Sequence, residues 1–191
     1  EERSFEVVPG VSSVGAAAAA LARELTIPGV SQSVVLTRLA GRTAASMPED
    51  ARGTGGAPPT AAAGAAKEGV AAFAPHGATM AVFLSAARPD ELAAELLTPG
   101  SGYGPDTPAA VVVRASWPDE VVVRTTVGRL AEDLKATGAT MTALVLVGEA
   151  LADRPVRQRS HLYEPSYSTT YRLRSAAGST QGRPSARRRD P

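Results

Sequence analysis

The chain has 191 residues, 43% of them hydrophobic, enough to build one ordinary core, so a disordered polymer is excluded. Twenty basic side chains face 19 acidic ones, a net charge of +1, which argues against a dedicated nucleic-acid binder with its marked basic excess. There is no cysteine and there are only two histidines, His76 and His161, which excludes disulfides, thiol nucleophiles and a histidine-based metal cluster.

Phe5–Val8 is β-rich and reads as a short strand. Pro9-Gly10 breaks it, because proline cannot continue a ladder and glycine permits a positive φ. Ser12 or Ser13 suits the N-cap of a helix, and Ala16–Ala20 follows with the highest helix propensity available. Leu21 and Leu25, four apart, are expected on one face of it. A strand that turns tightly into a small-residue helix brings bare backbone close to whatever lies above it. An ordinary strand-to-helix connection has the same pattern.

Ser33–Thr37 reads as a buried strand. Residues 44–66 are dominated by Ala, Gly, Pro and Thr, too poor in apolar surface to order themselves, and are expected to be a flexible insert. The Gly53–Gly56 cluster has prolines directly after it and no strand before it, so linker is the better reading than phosphate loop. Lys67–Phe73 looks like the end of a helix and Ala78–Ser85 like a strand whose small end, Ser85–Ala87, suits a place beside a ligand. Arg88–Leu97 is a predicted helix, with Pro89 in its first turn and Asp90 and Glu91 at its positive end.

Gly100–Gly104 superficially fits a dinucleotide loop but follows a helix instead of a strand, the wrong context. Ala109–Arg114 and Val121–Thr125 read as strands, Thr126–Thr137 as a helix, and Thr140–Gly148 as the last strand. Strands and helices joined by short turns indicate an α/β layer structure with a mixed sheet. From Arg174 the tail is Arg, Ser, Gly and Pro, expected to be solvated and disordered. No apolar run reaches the ~18 residues of a membrane span, and no signal-peptide pattern is present, so a cytoplasmic protein that avoids membranes is expected.

Three separated stretches share one resemblance. VPGVSS at 8–13 with its alanine helix, QSVVLTRLAGRT at 32–43 and RASWPDEVVVRTTV at 114–127 together resemble the tetrapyrrole methylases of the cobalamin pathway. Within that superfamily they look most like the branch that methylates precorrin-4 at C11. RASWPDE is the more specific signal, and the likeness runs from about Phe5 to Arg172, where Ser160–Tyr163 resembles the family's closing segment. It implies S-adenosylmethionine as methyl donor, a precorrin-type tetrapyrrole (with or without cobalt) as substrate, precorrin-5 as product, a homodimer, and no metal for the transfer. Neither the family's GxGPGDP-type loop nor its later GDP loop is present.

The expected fold is therefore the mixed-sheet α/β C-terminal domain of the tetrapyrrole methylase fold, preceded by the last strand and helix of the N-terminal domain. Residues 1–30 would close the first domain, 31–172 would form the second, and 173–191 would be a disordered basic tail. With Glu1 in place of methionine and a strand almost at once, the sequence reads as a piece cut from something longer.

The resemblance also implies site residues. Ser12 and Ser13 stand at the family's cofactor-contacting pair after the PG turn, although either also serves as a helix cap. Leu84 takes the place of the apolar residue beside the sulfonium, and plain core packing is the other reading. Ala115 matches the small residue whose backbone approaches the adenine, and Ala143 and Leu144 lie where strand backbone reads the adenine edge. Core packing competes at each. Arg38, Arg42 and Arg114 are candidates to meet substrate carboxylates, guanidinium pairing with carboxylate bidentately, against the plainer fate of a solvated surface arginine. No catalytic base is identified. The alternative class is a non-catalytic truncated remnant or a dimerisation or binding module, favoured by the absent glycine-rich loops. A weaker third idea, nucleic-acid binding by the arginine-rich tail, predicts weak and steeply salt-dependent association.

Overall fold

The computed structural model describes residues 6–39 and 69–153, all within one compact unit. Among them, the five strands β1 (Val34–Arg38), β2 (Thr79–Phe83), β3 (Pro108–Val113), β4 (Val121–Thr126) and β5 (Ala143–Val147) form one sheet in the order β1-β2-β5-β3-β4. β1 and β2 are parallel; the pairs β2–β5, β5–β3 and β3–β4 are antiparallel. β1, β2 and β3 thus point one way and β4 and β5 the other, so the expected mixed sheet is present.

The period-two alternation of the strands decides which side chain joins which layer. Met80, Val82, Ala109, Val111, Val113, Val145 and Val147 face one side of the sheet. There they meet Val70 of α2 (Val70–Phe73), Leu92 and Leu96 of α3 (Pro89–Leu96) and Leu130 and Leu134 of α4 (Leu130–Ala136). Ala81, Ala110, Val112, Leu144 and Leu146 face the other side and meet Val14, Ala17 and Leu21 of α1 (Ser13–Leu21). β2, β3 and β5, covered on both faces, are near-continuous apolar runs. Each fully buried Leu or Val in such a layer contributes about 1.5–3 kcal/mol, so these three strands dominate the stability.

Several elements differ from the sequence reading, each for a local reason. Glu6–Val8 is not a strand: it has no strand partner among the described residues, and Val7 and Val8 are exposed. α1 ends at Leu21 because Ala22 turns left-handed and its amide caps the helix on Ala18 and Ala19 carbonyls, so Leu25 packs from outside the helix. The helix expected from Thr126 starts only at Leu130. The amides of Val127 and Gly128 are bound instead to the carbonyls of Thr107 and Pro105. The last strand starts at Ala143, after a left-handed Thr142. The expected insert at 44–66, Ser160–Tyr163, His161 and the basic tail lie outside the described residues. No helix among those described is long and apolar enough to cross a membrane.

The Gly100–Gly104 segment packs; it does not cradle a phosphate. Gly102 donates its amide to Ala74 O and lies so close to Gly77 that a Cβ would stand 2.7 Å from Gly77 N and 2.8 Å from Gly77 Cα. Gly102→Ala must therefore push backbone apart, at about 1–3 kcal/mol. We expect a melting temperature at least ~2 °C lower, read by circular dichroism.

Beside it, the buried Tyr103 hydroxyl donates to Ala78 O, and burial pushes the phenol from its ordinary 10 up to about 12. The folded chain holds this proton more tightly than the unfolded chain, so stability falls as pH rises through 10 toward 12. Tyr103→Phe is expected to cost about 1 kcal/mol at pH 7, where the carbonyl loses its donor. Its stability should then decline less steeply than that of the unaltered chain across that alkaline window, as chemical denaturation at stepped pH would show.

Candidate functional site

The sheet has one edge at which β1, β2 and β3 end and β4 and β5 begin. Pairing between β2 and β5 covers only Met80–Val82 against Val145–Val147. β5 goes on pairing with β3 through Leu144 and Ala143, and β1 goes on with β2 through Phe83. The two halves of the sheet therefore part between Phe83–Leu84 and Ala143–Leu144. A crevice opens beyond the carboxyl ends of parallel strands, at the point where the neighbour relations reverse, which is where open α/β sheets bind ligands.

Most of the predicted site residues meet at this edge. Arg38 ends β1 and is exposed; Leu84 follows β2; Arg114 and Ala115 follow β3; Ala143 opens β5. Leu144 is next on β5, but its side chain is buried in the α1-side core, so only its backbone is available to a ligand. Ala115 packs against that same core layer, and among the described residues neither its amide nor its carbonyl has a hydrogen-bond partner. Arg42 lies outside the described residues.

Ser12 and Ser13 approach from the α1 face. Ser12 is the N-cap, its hydroxyl accepting the Val14 amide at 3.2 Å, and Ser13 is the first helical residue. The other end of α1 is tied toward the far edge of the sheet. Arg124 of β4 donates to Leu21 O at 2.6 Å, and Arg23 pairs with Asp153, which follows β5. That anchoring turns the amino end of α1 toward the crevice edge.

The backbone at this edge is unusual. Five non-glycine residues among those described have a positive φ, and four of them stand here: Leu84 (53°), Arg114 (49°), Ser116 (70°) and Thr142 (51°). Each such residue costs about 1–3 kcal/mol, which the surrounding structure must offset. Nothing in their side-chain types announces this, so Ser116 and Thr142 could not be found from the sequence. Arg114 also faces Asp119, Nε to Oδ2 3.0 Å, an ion pair by distance whose angle does not make it a hydrogen bond.

Leu84 is 72% exposed, which sets aside core packing and leaves an apolar side chain standing at the crevice. Small Ala115 and Ala143, free backbone groups and one apolar wall suit a flat heterocycle read by backbone. Among the described residues no cluster of three or more His, Asp or Glu is placed to hold a metal. His76 is exposed on a turn at the opposite edge. That edge has its own open cleft of about 490 Å³, bordered by Ser31, Ser33, Phe73 and His76. No Lys, Arg, Asp or Glu is among its described lining residues, so it offers a charged ligand no partner. Ser85 and Ala86 are buried, beneath the crevice and not along it.

Comparison with known proteins agrees with this placement. The family model of the Tetrapyrrole (Corrin/Porphyrin) Methylases matches residues 1–131. The chain is 46% identical to a precorrin-4 C(11)-methyltransferase of Rhodococcus erythropolis over 149 residues, 78% of this chain and 51% of the relative. It is 41% identical to a cobalt-precorrin-4 C(11)-methyltransferase of Methanocaldococcus jannaschii over 167 residues, 87% of this chain and 56% of the relative. Among solved structures, a cobalt precorrin-4 methyltransferase matches with a TM-score of 0.61 at 40% identity, over 77% of this chain and 53% of that one. The Thermus thermophilus uroporphyrin-III C-methyl transferase complexed with S-adenyl homocysteine shares the fold, with a TM-score of 0.50 at 24% identity, over 76% of this chain and 53% of that one. The chain spans about half the length of the relatives it matches.

If the left-handed turn at Leu84 exists for the crevice and not for stability, glycine should be the better residue for folding. Leu84→Gly loses little packing and removes the Cβ penalty, partly offset by glycine's chain entropy, a net gain of about 0.5–1 kcal/mol. Chemical denaturation checks this; a clear loss would mean that the side chain packs.

Proposed function

The chain belongs to the tetrapyrrole (corrin/porphyrin) methylases, and from that premise we propose that it forms the C-terminal portion of a precorrin-4 C11-methyltransferase. Residues 1–30 would close the first domain and 31–172 would form the second. The substrate is precorrin-4 or cobalt-precorrin-4, and the product is methylated at C11. The observation that carries this reading is the coincidence of three things at one sheet edge: the crevice, the RASWPDE segment at 114–120, and the identity of 39–46% to relatives named for this reaction.

S-adenosylmethionine supplies a methyl group on positively charged sulfur, which the ring carbon takes by in-line displacement while sulfur leaves neutral with the electron pair. The chain's own residues position the partners. The Ala115 amide and carbonyl and the backbone of Ala143 and Leu144 would hold the adenine, with no side chain between. Leu84 would pack beside the methionine portion, where an apolar wall keeps water from the sulfonium. Ser12 and Ser13, at the positive end of α1, would meet its polar groups, Ser13 with its hydroxyl and Ser12 with its backbone because its hydroxyl already caps the helix.

Arg38 and Arg114 flank the crevice from strands three positions apart in the sheet, about 14 Å at the usual strand spacing. That separation suits peripheral carboxylates of one large macrocycle better than one small anion. Holding donor and acceptor in line is the main source of rate for such a displacement. Any base that removes a proton from the macrocycle lies outside the residues assigned here.

A second reading rests on one fact, the match to only about half of each relative's length. A polypeptide of these residues alone would serve as a non-catalytic binding or dimerisation module. The intact mass of the protein in its source cell separates the two: a mass larger by a domain favours the enzyme, and a mass equal to these 191 residues favours the module.

The decisive experiment uses the intact protein from that cell. It is expected to bind S-adenosylhomocysteine in calorimetry and to transfer a labelled methyl group to precorrin-4. Failure to bind the nucleoside would overturn the proposal.

A further inference from the structure

The seven residues between β3 and β4, Arg114–Glu120, are folded back on themselves by their own acidic end. Glu120 Oε2 accepts the Ser116 amide at 2.6 Å, a short charge-assisted bond. Asp119 faces Arg114 at 3.0 Å. Trp117 donates its amide to Arg114 O, Glu120 donates its amide to Trp117 O, and Arg114 donates its amide across to Thr142 O at the start of β5. Every amide of Arg114, Ser116, Trp117 and Glu120 is thus committed within the loop or to β5. Ala115, between them, is the residue whose amide and carbonyl have no partner among those described.

The two residues on either side of Ala115 are left-handed, and so is Thr142 opposite. A hairpin connection of seven residues with no glycine has no intrinsic reason to hold that shape. Something must hold it, and the carboxylate of Glu120 is the group bonded directly to the strained Ser116. Trp117, Pro118, Asp119 and Glu120 are all exposed, so packing does not do it.

We propose that Glu120 is a positioning residue: its carboxylate clamps the Ser116 amide and thereby aims the Ala115 amide and carbonyl into the crevice. This rests on the reading that Ala115 meets the adenine of the methyl donor. Glu120 touches neither donor nor tetrapyrrole in this arrangement; it acts through the loop. The bond requires an acceptor and not a charge, which makes the glutamine variant informative.

The test compares Glu120→Ala, Glu120→Gln and Glu120→Asp in the intact protein, by calorimetry with S-adenosylhomocysteine and by steady-state kinetics. Glu120→Ala is expected to weaken S-adenosylhomocysteine binding about tenfold and to raise KM for the donor by a similar factor, with a smaller fall in kcat. Glu120→Gln should bind within about threefold of the unaltered protein, because its amide oxygen accepts the same hydrogen bond. Should the alanine variant not fold, Glu120→Asp carries the comparison, its carboxylate withdrawn by one methylene and its binding expected between the two. If the unaltered protein binds and the alanine or aspartate variant binds equally well, the clamp is wrong while the methyltransferase reading stands. If the unaltered protein does not bind, the reading and the clamp fall together.

Discussion

Everything at the functional edge depends on one unequal partnership. β5 is held by β3 along Ala143–Val147 but by β2 only along Val145–Val147. Had β2 kept its register for two more residues, Phe83 and Leu84 would have closed onto Leu144 and Ala143, and the sheet would present an unbroken rim. The left-handed Leu84 turns β2 aside at that place, and the left-handed Thr142 delays the start of β5. Backbone conformation, not any reactive side chain, therefore builds the crevice. This is consistent with a reaction in which a protein holds two partners in line and contributes little covalent chemistry of its own.

Much of the layer structure was legible in the sequence because burial imposes a period. Ala109–Val113 and Ala143–Val147 are apolar throughout because both faces are covered, and Pro89 with Asp90 and Glu91 marks the start of α3. The misreadings occur where long-range hydrogen bonds override local preference. The chain at Val127–Gly128 has the composition of a helix, yet its amides are claimed by Pro105 and Thr107, more than twenty residues earlier. Glu6–Val8 has strand residues and no neighbour to pair with among those described. Strand character without a partner strand is only a preference.

The site was legible in a different way. Position in a motif led to Arg38, Leu84, Arg114, Ala115 and Ala143, and topology brings these five to one edge. The geometry of Ser116 and Thr142 was out of reach, since serine and threonine carry no mark of a positive φ. Glu120 was in view as part of RASWPDE, but its bond to a backbone amide four residues back is a property of the folded loop alone. Leu144 shows the limit of residue-level inference. Its side chain belongs to the core, and only its main chain is offered to a ligand.

Arg124 has a further meaning. β4 is an outer strand of the sheet, and Val121 and Val122 on it are exposed, the composition that invites a second sheet to add on. Arg124 interrupts that apolar row with a charge, and its guanidinium is committed inward to the last carbonyl of α1. One residue thus anchors the helix and guards the sheet against edge-to-edge aggregation. Losing it would release both at once, turning a local loss of packing into a loss of solubility.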